Sequence, residues 1–277
     1  MPKAVTDKAS PVEAVHPFTF ESYGVSVRIS SNRQDMIDEA AAVARVSLLG
    51  LVKVIRRKRV DLHFQLNRVG RRYVFIQNGE ELTWGTSRWK FFKFFDSVIR
   101  ASIGEYAPDL VFVHAGVVGW NGKAILLPAD SFKGKSTMVA ELVRRGAVYY
   151  SDDFAILDEA GLVHAFPRHL SLRTEEFSEY KLTVDAIGGR PATGPMPVGL
   201  VLLTEYRKGA KWDPIVLTAG KGALEMIPYT LTFRNRPELS LRVLNIIASR
   251  AIIASSPRGN AIDFADVILN FVDKTVN

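Results

Sequence analysis

The chain contains no cysteine. That excludes a disulfide framework, thiolate zinc sites and a cysteine nucleophile, and it suits a reducing cytoplasm. Long apolar runs are missing too. VGLVLL (198–203) is typical of the longest, far below the roughly 18–20 residues that span a bilayer. The opening MPKAVTDKASPVEAVH lacks the continuous apolar core of a signal peptide. A cytoplasmic protein without a membrane partner is expected. Histidine is scarce, at five residues, and His63, His164 and His169 have no metal-ligand spacing. There is no zinc-finger spacing, no basic zipper, no RNP-type aromatic motif and no internal repeat. The formal charge of +7 gathers in KVIRRKR (53–59), RVGRRY (68–73) and RKGAK (207–211). Without a recognition motif these read as solvated turns and helix faces, and no nucleic-acid partner is expected.

What is present is ordinary globular material: 277 residues, 47% hydrophobic and 23% charged, enough for one large domain or two smaller ones. Residues 1–16 are polar and proline-containing and read as a disordered tail. Residues 17–107 read as a β-rich accessory domain. FTFESYGVSVRIS gives one or two strands with Gly24 at a turn. QDMIDEAAAVARVSLL (34–49) has helical spacing. DLHFQLNRV (61–69) and RRYVFIQNGEELTW (71–84) alternate as strands, with hairpin turns at Gly70 and Asn78-Gly79. SRWKFFKFFDSVIRASIGEY (87–106) predicts a helix whose stripe of Trp89, Phe91, Phe92 and Phe95 docks on a sheet.

At Pro108 the character changes. LVFVHAGVVGW (110–120) and KAILLP (123–128) are apolar on both faces, as central strands are, and Asn121-Gly122 joins them as a hairpin. KSTMVAELVRR (135–145) predicts a helix ended by Gly146. AVYYSDDFAILD (147–158) and LVHAFP (162–167) read as a further hairpin. VGLVLLTEY (198–206) reads as a buried strand, and 238–254 and 262–273 as helices. Residues 108–277 thus read as one α/β domain.

Between the hairpin and the helix stands PADSFKGKST (128–137). A phosphate loop runs G-x-x-x-x-G-K-[S/T] between a strand and a helix. Here Ala129 replaces the first glycine, while Gly134, Lys135 and Ser136 hold the other places. Ala129, Asp130, Ser131, Phe132, Lys133, Gly134, Lys135, Ser136 and Thr137 are therefore the expected nucleotide cradle. Its amides and the helix N-terminus converge on phosphate oxygens. Lys135 would reach the β- and γ-phosphates of ATP, and the Ser136 hydroxyl would ligate Mg2+. A β-carbon at Ala129 is harmless if φ is negative and crowding if φ is positive.

Asp152-Asp153 follows seventeen residues after Lys135. Acids at the end of an apolar strand complement such a loop, because magnesium needs a carboxylate or a carboxylate-held water. Strand parity puts Asp152 with Val148, Tyr150, Phe154 and Ile156 on the more apolar face, where desolvation raises a carboxyl toward a general base. His114, mid-strand among apolar neighbours, is either a hydrogen-bonded core histidine or a site residue brought near the loop by hairpin register.

The run from His114 to Leu157 resembles the catalytic domain of HPr kinase/phosphorylase and related bacterial serine kinases. The histidine-glycine strand, hairpin, phosphate loop, short helix ending in Arg-Gly and Asp-Asp strand occur in the same order. The resemblance implies a mixed-sheet P-loop fold of the HPr kinase and phosphoenolpyruvate carboxykinase type. It implies phosphoryl transfer from ATP to a serine hydroxyl, and a homo-oligomer. It implies Asp152 as general base, Asp153 beside Mg2+, and His114 assisting near the transferred phosphate. The family's glutamate-bearing signature is replaced around LSLR (170–173), where Ser171 stands for the glutamate, and its late Pro-Gly-Arg-Asn loop has a scrambled echo in SPRGN (256–260). These departures point to a diverged member acting on a serine of another protein or ribosomal peptide, such as a lasso-peptide precursor. A small-metabolite kinase and a nucleotide-binding regulatory module without catalysis are the alternatives.

Overall fold

The computed structural model describes residues 15–130, 133–173 and 179–276. By its contacts the chain divides into two units: residues up to Ser22 with Ser26–Val98, and Tyr23–Val25 with Ile99 onward.

The first unit carries β1 (Phe18–Ser22), most of β2 (Val25–Ser30), α1 (Gln34–Ser47), β3 (Lys53–Val54), β4 (Leu62–Val69), β5 (Arg72–Gln77), β6 (Glu80–Gly85) and the start of α2 (Arg88–Tyr106). Its six strands form one sheet in the order β3-β1-β2-β4-β5-β6. β2 and β4 run parallel, while β4, β5 and β6 are antiparallel hairpins. The turns fall at Gly70 and at Asn78-Gly79, as expected, with Asn78 at φ +49°. Alternation in β4 buries Leu62, Phe64 and Leu66 completely. Phe64 and Phe75 meet Phe95 of α2 with ring centroids 5.8 and 5.9 Å apart. Each such buried ring contributes roughly 1.5–3 kcal/mol. The anticipated stripe holds for Phe91, Phe92 and Phe95, but Trp89 is 67% exposed. Helical periodicity puts it to the side of the buried stripe, and it carries Lys93 over its ring instead.

The second unit continues with β7 (Val111–Trp120), β8 (Lys123–Pro128), α3 (Lys135–Arg144), β9 (Val148–Ser151), β10 (Phe154–Leu157), β11 (Leu162–His164), β12 (Leu170–Arg173), β13 (Glu179–Leu182), β14 (Met196–Tyr206), β15 (Ile215–Val216), α4 (Ala219–Met226), α5 (Pro237–Arg250), β16 (Ile252–Arg258) and α6 (Ala261–Thr275). The main sheet runs β11-β10-β7-β8-β14-β16-β15, with β9 also on β7; β12 and β13 form a separate pair. It is mixed: β14 is parallel to β8 and β16, whereas β7 is antiparallel to β8 and β10. On one face Val113, Val117, Leu126 and Val201 pack with Met226 of α4 and Val243 and Ile247 of α5. On the other, Val118, Ile125 and Leu200 pack with Met138, Val139 and Leu142 of α3 and Ile268 of α6. Burial on both faces explains why these strands read as nearly unbroken apolar strings.

Two sequence expectations change here. The helix foreseen over 238–254 ends at Arg250, where Ala251 turns extended (φ −106°, ψ 154°). The β-branched Ile252 and Ile253 then enter the sheet beside β14. The strand foreseen through 147–158 is also broken. Ser151 Oγ accepts the amides of Asp153 and Phe154 at 3.1 and 3.0 Å, making a turn of Asp152-Asp153. β9 and β10 lie on either side of that turn along one edge of β7. Among the described residues, no helix is long and apolar enough to cross a membrane.

Candidate functional site

β8 delivers the loop. Pro128 pairs with Ala115 of β7, and the Ala129 amide donates to the His114 carbonyl at 3.3 Å. Ala129 is buried and is absent from the non-glycine residues with positive φ, so its β-carbon is accommodated without strain. Ser131 and Phe132 lie outside the described residues. Gly134 closes the loop at φ +76° and opens α3 with no side-chain cap. A β-carbon there would stand 2.6 Å from Nη2 of Arg258, so both conformation and space require glycine. Arg258, at the end of β16, is 3% exposed. It donates to the carbonyls of Lys133, Gly134 and Gly259 at 3.1, 2.9 and 3.2 Å, and burial lowers its pKa.

Lys135 begins α3 and folds back over the loop. Its ammonium donates to Nε2 of His114 at 2.8 Å and to the Ala129 carbonyl at 3.2 Å. The path of its stem depends on Gly116 of β7, whose missing β-carbon would meet Lys135 Cγ at 3.0 Å and Val139 Cγ2 at 2.5 Å. Burial pulls the Lys135 pKa down to about 8, against the opposing pull of Asp153, Asp152 and Asp130. Burial, and then the Lys135 charge, push the His114 pKa down to about 4. The imidazole is therefore neutral at physiological pH, with Nε2 accepting and the ring proton on Nδ1. Nδ1 lies 3.9 Å from Oδ1 of Asp153.

The two aspartates have different partners. Asp152 is 7% exposed and accepts from the Ser171 amide at 2.9 Å, from the Tyr149 hydroxyl at 3.2 Å and from Ser136. Burial raises its pKa, and the neighbouring Asp153 adds to the rise. Asp153 instead takes Nε of Arg100 at 2.8 Å and Nη1 of Arg168 at 3.5 Å on one oxygen. Because the chain turns at 152–153, the two carboxylates do not divide by strand parity. It is Tyr149, with its hydroxyl also donating to the Arg168 carbonyl at 2.7 Å, that reaches Asp152, and not Tyr150.

His114, Lys135, Ser136, Asp152 and Asp153 thus converge at one end of the loop, and the LSLR segment joins them through the Ser171 amide. Thr137 is exposed on the first turn of α3, and Lys133 pairs with Glu205 at 2.6 Å. His63 and His164 serve elsewhere, bonded to Ser30 and Asp158. Arg258 is the arginine of SPRGN, the scrambled echo of the family's late loop, whereas Tyr149, Arg100 and Arg168 carried no motif. Their only mark in the sequence is a polar group inside or at the end of an apolar stretch.

The residues fit a triphosphate and magnesium. The glycine-closed turn and uncapped helix start present backbone N–H groups to an anion. Among the described residues no group of three or more histidines or acids could hold a metal. One hydroxyl and two carboxylates suit magnesium, which takes most of its ligands from phosphate and water.

No protein-family model and no curated protein matches the chain. Among solved structures it is similar to the HPr(Ser) kinase/phosphatase from Coxiella burnetii, at 11% identity and a TM-score of 0.33, over 59% of this chain and 94% of that one. An overlap of that quality fixes neither fold nor chemistry, which rest on the residues themselves.

Proposed function

We propose that the second unit is an ATP- and magnesium-dependent kinase that phosphorylates a serine hydroxyl of a protein or ribosomal peptide. The juxtaposition that supports this most is a buried lysine at the start of α3, within 2.8 Å of a neutral histidine, beside a buried carboxyl of raised proton affinity. Bound magnesium would supply charge neutralisation between phosphate oxygens. Ser136 and Asp153 are the residues that would hold it.

In this reading the loop amides and Lys135 bind and orient the phosphates. Asp152 takes the proton of the acceptor hydroxyl as its oxygen bonds to the γ-phosphorus and the bond from phosphorus to the ADP oxygen breaks. The raised pKa suits Asp152 to that role, since a base works best with its pKa near the working pH. His114, held in one tautomer between Lys135 and Asp153, keeps the lysine aimed across the loop. Arg100 and Arg168 fix Asp153.

The test is isotope transfer from γ-labelled ATP into peptide and metabolite pools, read by mass spectrometry. Asp152→Asn should lose transfer and keep nucleotide binding, whereas Lys135→Met should lose both. Near-wild-type transfer by Asp152→Asn would remove Asp152 as the base. Label found only in small molecules would reassign the acceptor.

A further inference from the structure

The phosphate site leaves the first unit without a task. We infer that the outer edge of β3, with the turn after α1, docks an acidic peptide segment in extended form. This surface lies within the first unit and is independent of the kinase reading.

β3 is the last strand of its sheet, and among the described residues no strand pairs its outer side. Its inner side pairs antiparallel with β1, Val54 opposite Phe20 and Lys53 opposite Glu21. The Ile55 amide also donates to the Thr19 carbonyl at 3.0 Å, so the pairing runs past Val54. Main-chain groups alternate in direction along such a ladder. Because Ile55 turns its amide inward, Val54 turns its N–H and C=O outward, where an added strand would bond them.

Phe20 is fully buried, and residues opposite each other share a face of the sheet. Val54 therefore carries the core face out to the rim, where it is 62% exposed. Leu51 is 55% exposed, and Val46 and Leu49, around the end of α1, are exposed as well. Arg45 ties that helix end to β1, with its guanidinium 4.9 Å from the centre of the Phe18 ring. An edge closed to partners carries charge in place of apolar side chains. This one carries both.

Between Glu39 and Asp61 the chain has six cations and no acid. Arg57 pairs with Glu21 at 3.2 Å. Lys53, Arg56, Lys58 and Arg59 are exposed and have no carboxylate partner among the described residues. Arg28 of β2 donates to the carbonyls of Arg57 and Lys58, so the basic run is fastened to the sheet. Cations held beside a free strand edge complement carboxylates spaced along an extended peptide. Holding them in advance lowers the ordering cost of binding. Other polyanions fit less well. A nucleic acid binds through its phosphates and has no use for four exposed aliphatic side chains. Free strand edges, for their part, are avoided where lipid replaces water.

The test is fluorescence anisotropy of the full chain with labelled peptides of about eight residues, within the usual length of a strand. They alternate leucine with glutamate, glutamine or lysine. The glutamate peptide should bind about tenfold or more tighter than the glutamine form, as two or three exposed ion pairs would give. At about 1 M salt, where charges are screened within roughly 3 Å, that preference should fall away. Arg56→Glu combined with Arg59→Glu should turn the preference toward lysine. Methylating one alternate set of backbone nitrogens in the glutamate peptide should weaken it by about tenfold, and methylating the other set should not. Val54→Pro removes the matching donor from the protein and should weaken binding with the unfolding midpoint unchanged, since an edge strand tolerates proline where its N–H faces solvent. Equal binding of the three peptides, or a preference that survives the Arg56→Glu and Arg59→Glu changes, overturns the inference. So does an equal effect of the two methylated sets, which needs no variant of the chain. Binding confined to phosphatidylserine vesicles or to a single-stranded oligonucleotide also overturns it.

Discussion

Lys135 offers the sharpest test of the site, because it can be examined without any substrate. Its ordinary pKa of 10.5 falls to about 8 in the folded chain, chiefly through burial. In the unfolded chain it returns to the ordinary value. Below pH 8 both states hold the proton, and the folded state bears the full cost of a buried ammonium. Between pH 8 and 10.5 the folded chain gives up the proton while the unfolded chain keeps it, so stability rises with pH through that window. At 1.36 kcal/mol per pH unit the gap amounts to roughly 3 kcal/mol. Lys135→Met removes the titration. It should be the more stable protein below pH 8, and its advantage should shrink by about 3 kcal/mol by pH 10.5. Urea unfolding of both proteins at half-unit steps of pH measures the difference directly. A phosphate ligand carries the reasoning further. Its charge would restore the proton to Lys135, so binding of ADP near pH 8 should take up a fraction of a proton, read by calorimetry in buffers of different ionisation enthalpy. A stability difference that ignores pH across the window would refute the burial of a charged Lys135.

Two further expectations concern the loop. Ala129→Gly restores the usual first glycine, yet Ala129 needs no positive φ; the change should cost about 0.5–1 kcal/mol in thermal unfolding and leave ADP affinity where it was. Tighter nucleotide binding in that variant would show that the β-carbon obstructs the phosphate. Arg258→Met strips the donors from three carbonyls behind the loop. Set against the desolvation cost of the guanidinium, this should lose about 2 kcal/mol of stability and at least tenfold in ADP affinity, with Arg258→Lys recovering only part because an ammonium cannot fork. An unchanged denaturation midpoint would mean the loop needs no such support.

Much of this site was legible in the sequence because its parts are local. A loop between an apolar strand and a helix, and the hairpin before it, follow from spacing alone, whereas for His114 spacing left a core role and a site role both open. The apolar strands were legible for the same reason, whereas the mixed order of the sheet was implied only by the resemblance. Legibility ended where one side chain redirects the backbone. Ser151 capping the Asp153 and Phe154 amides turns the chain and cancels the parity argument for Asp152. Ala251 likewise ends α5 early, although the apolar spacing runs on. Arg100 and Arg168 were not legible, and the SPRGN echo gave Arg258 no role, since the three arrive from distant segments and only the tertiary arrangement unites them.

Arg258 has a consequence for the site as a whole. Among the described residues it pairs with no carboxylate, and a guanidinium does not give up its proton in a protein. Lys135 can lose its charge near pH 8, while the cation behind Gly134 stays. The loop is thus served by one switchable and one permanent positive charge. Affinity for an anion should decline toward a floor as the pH rises, and that floor is what Arg258 sustains.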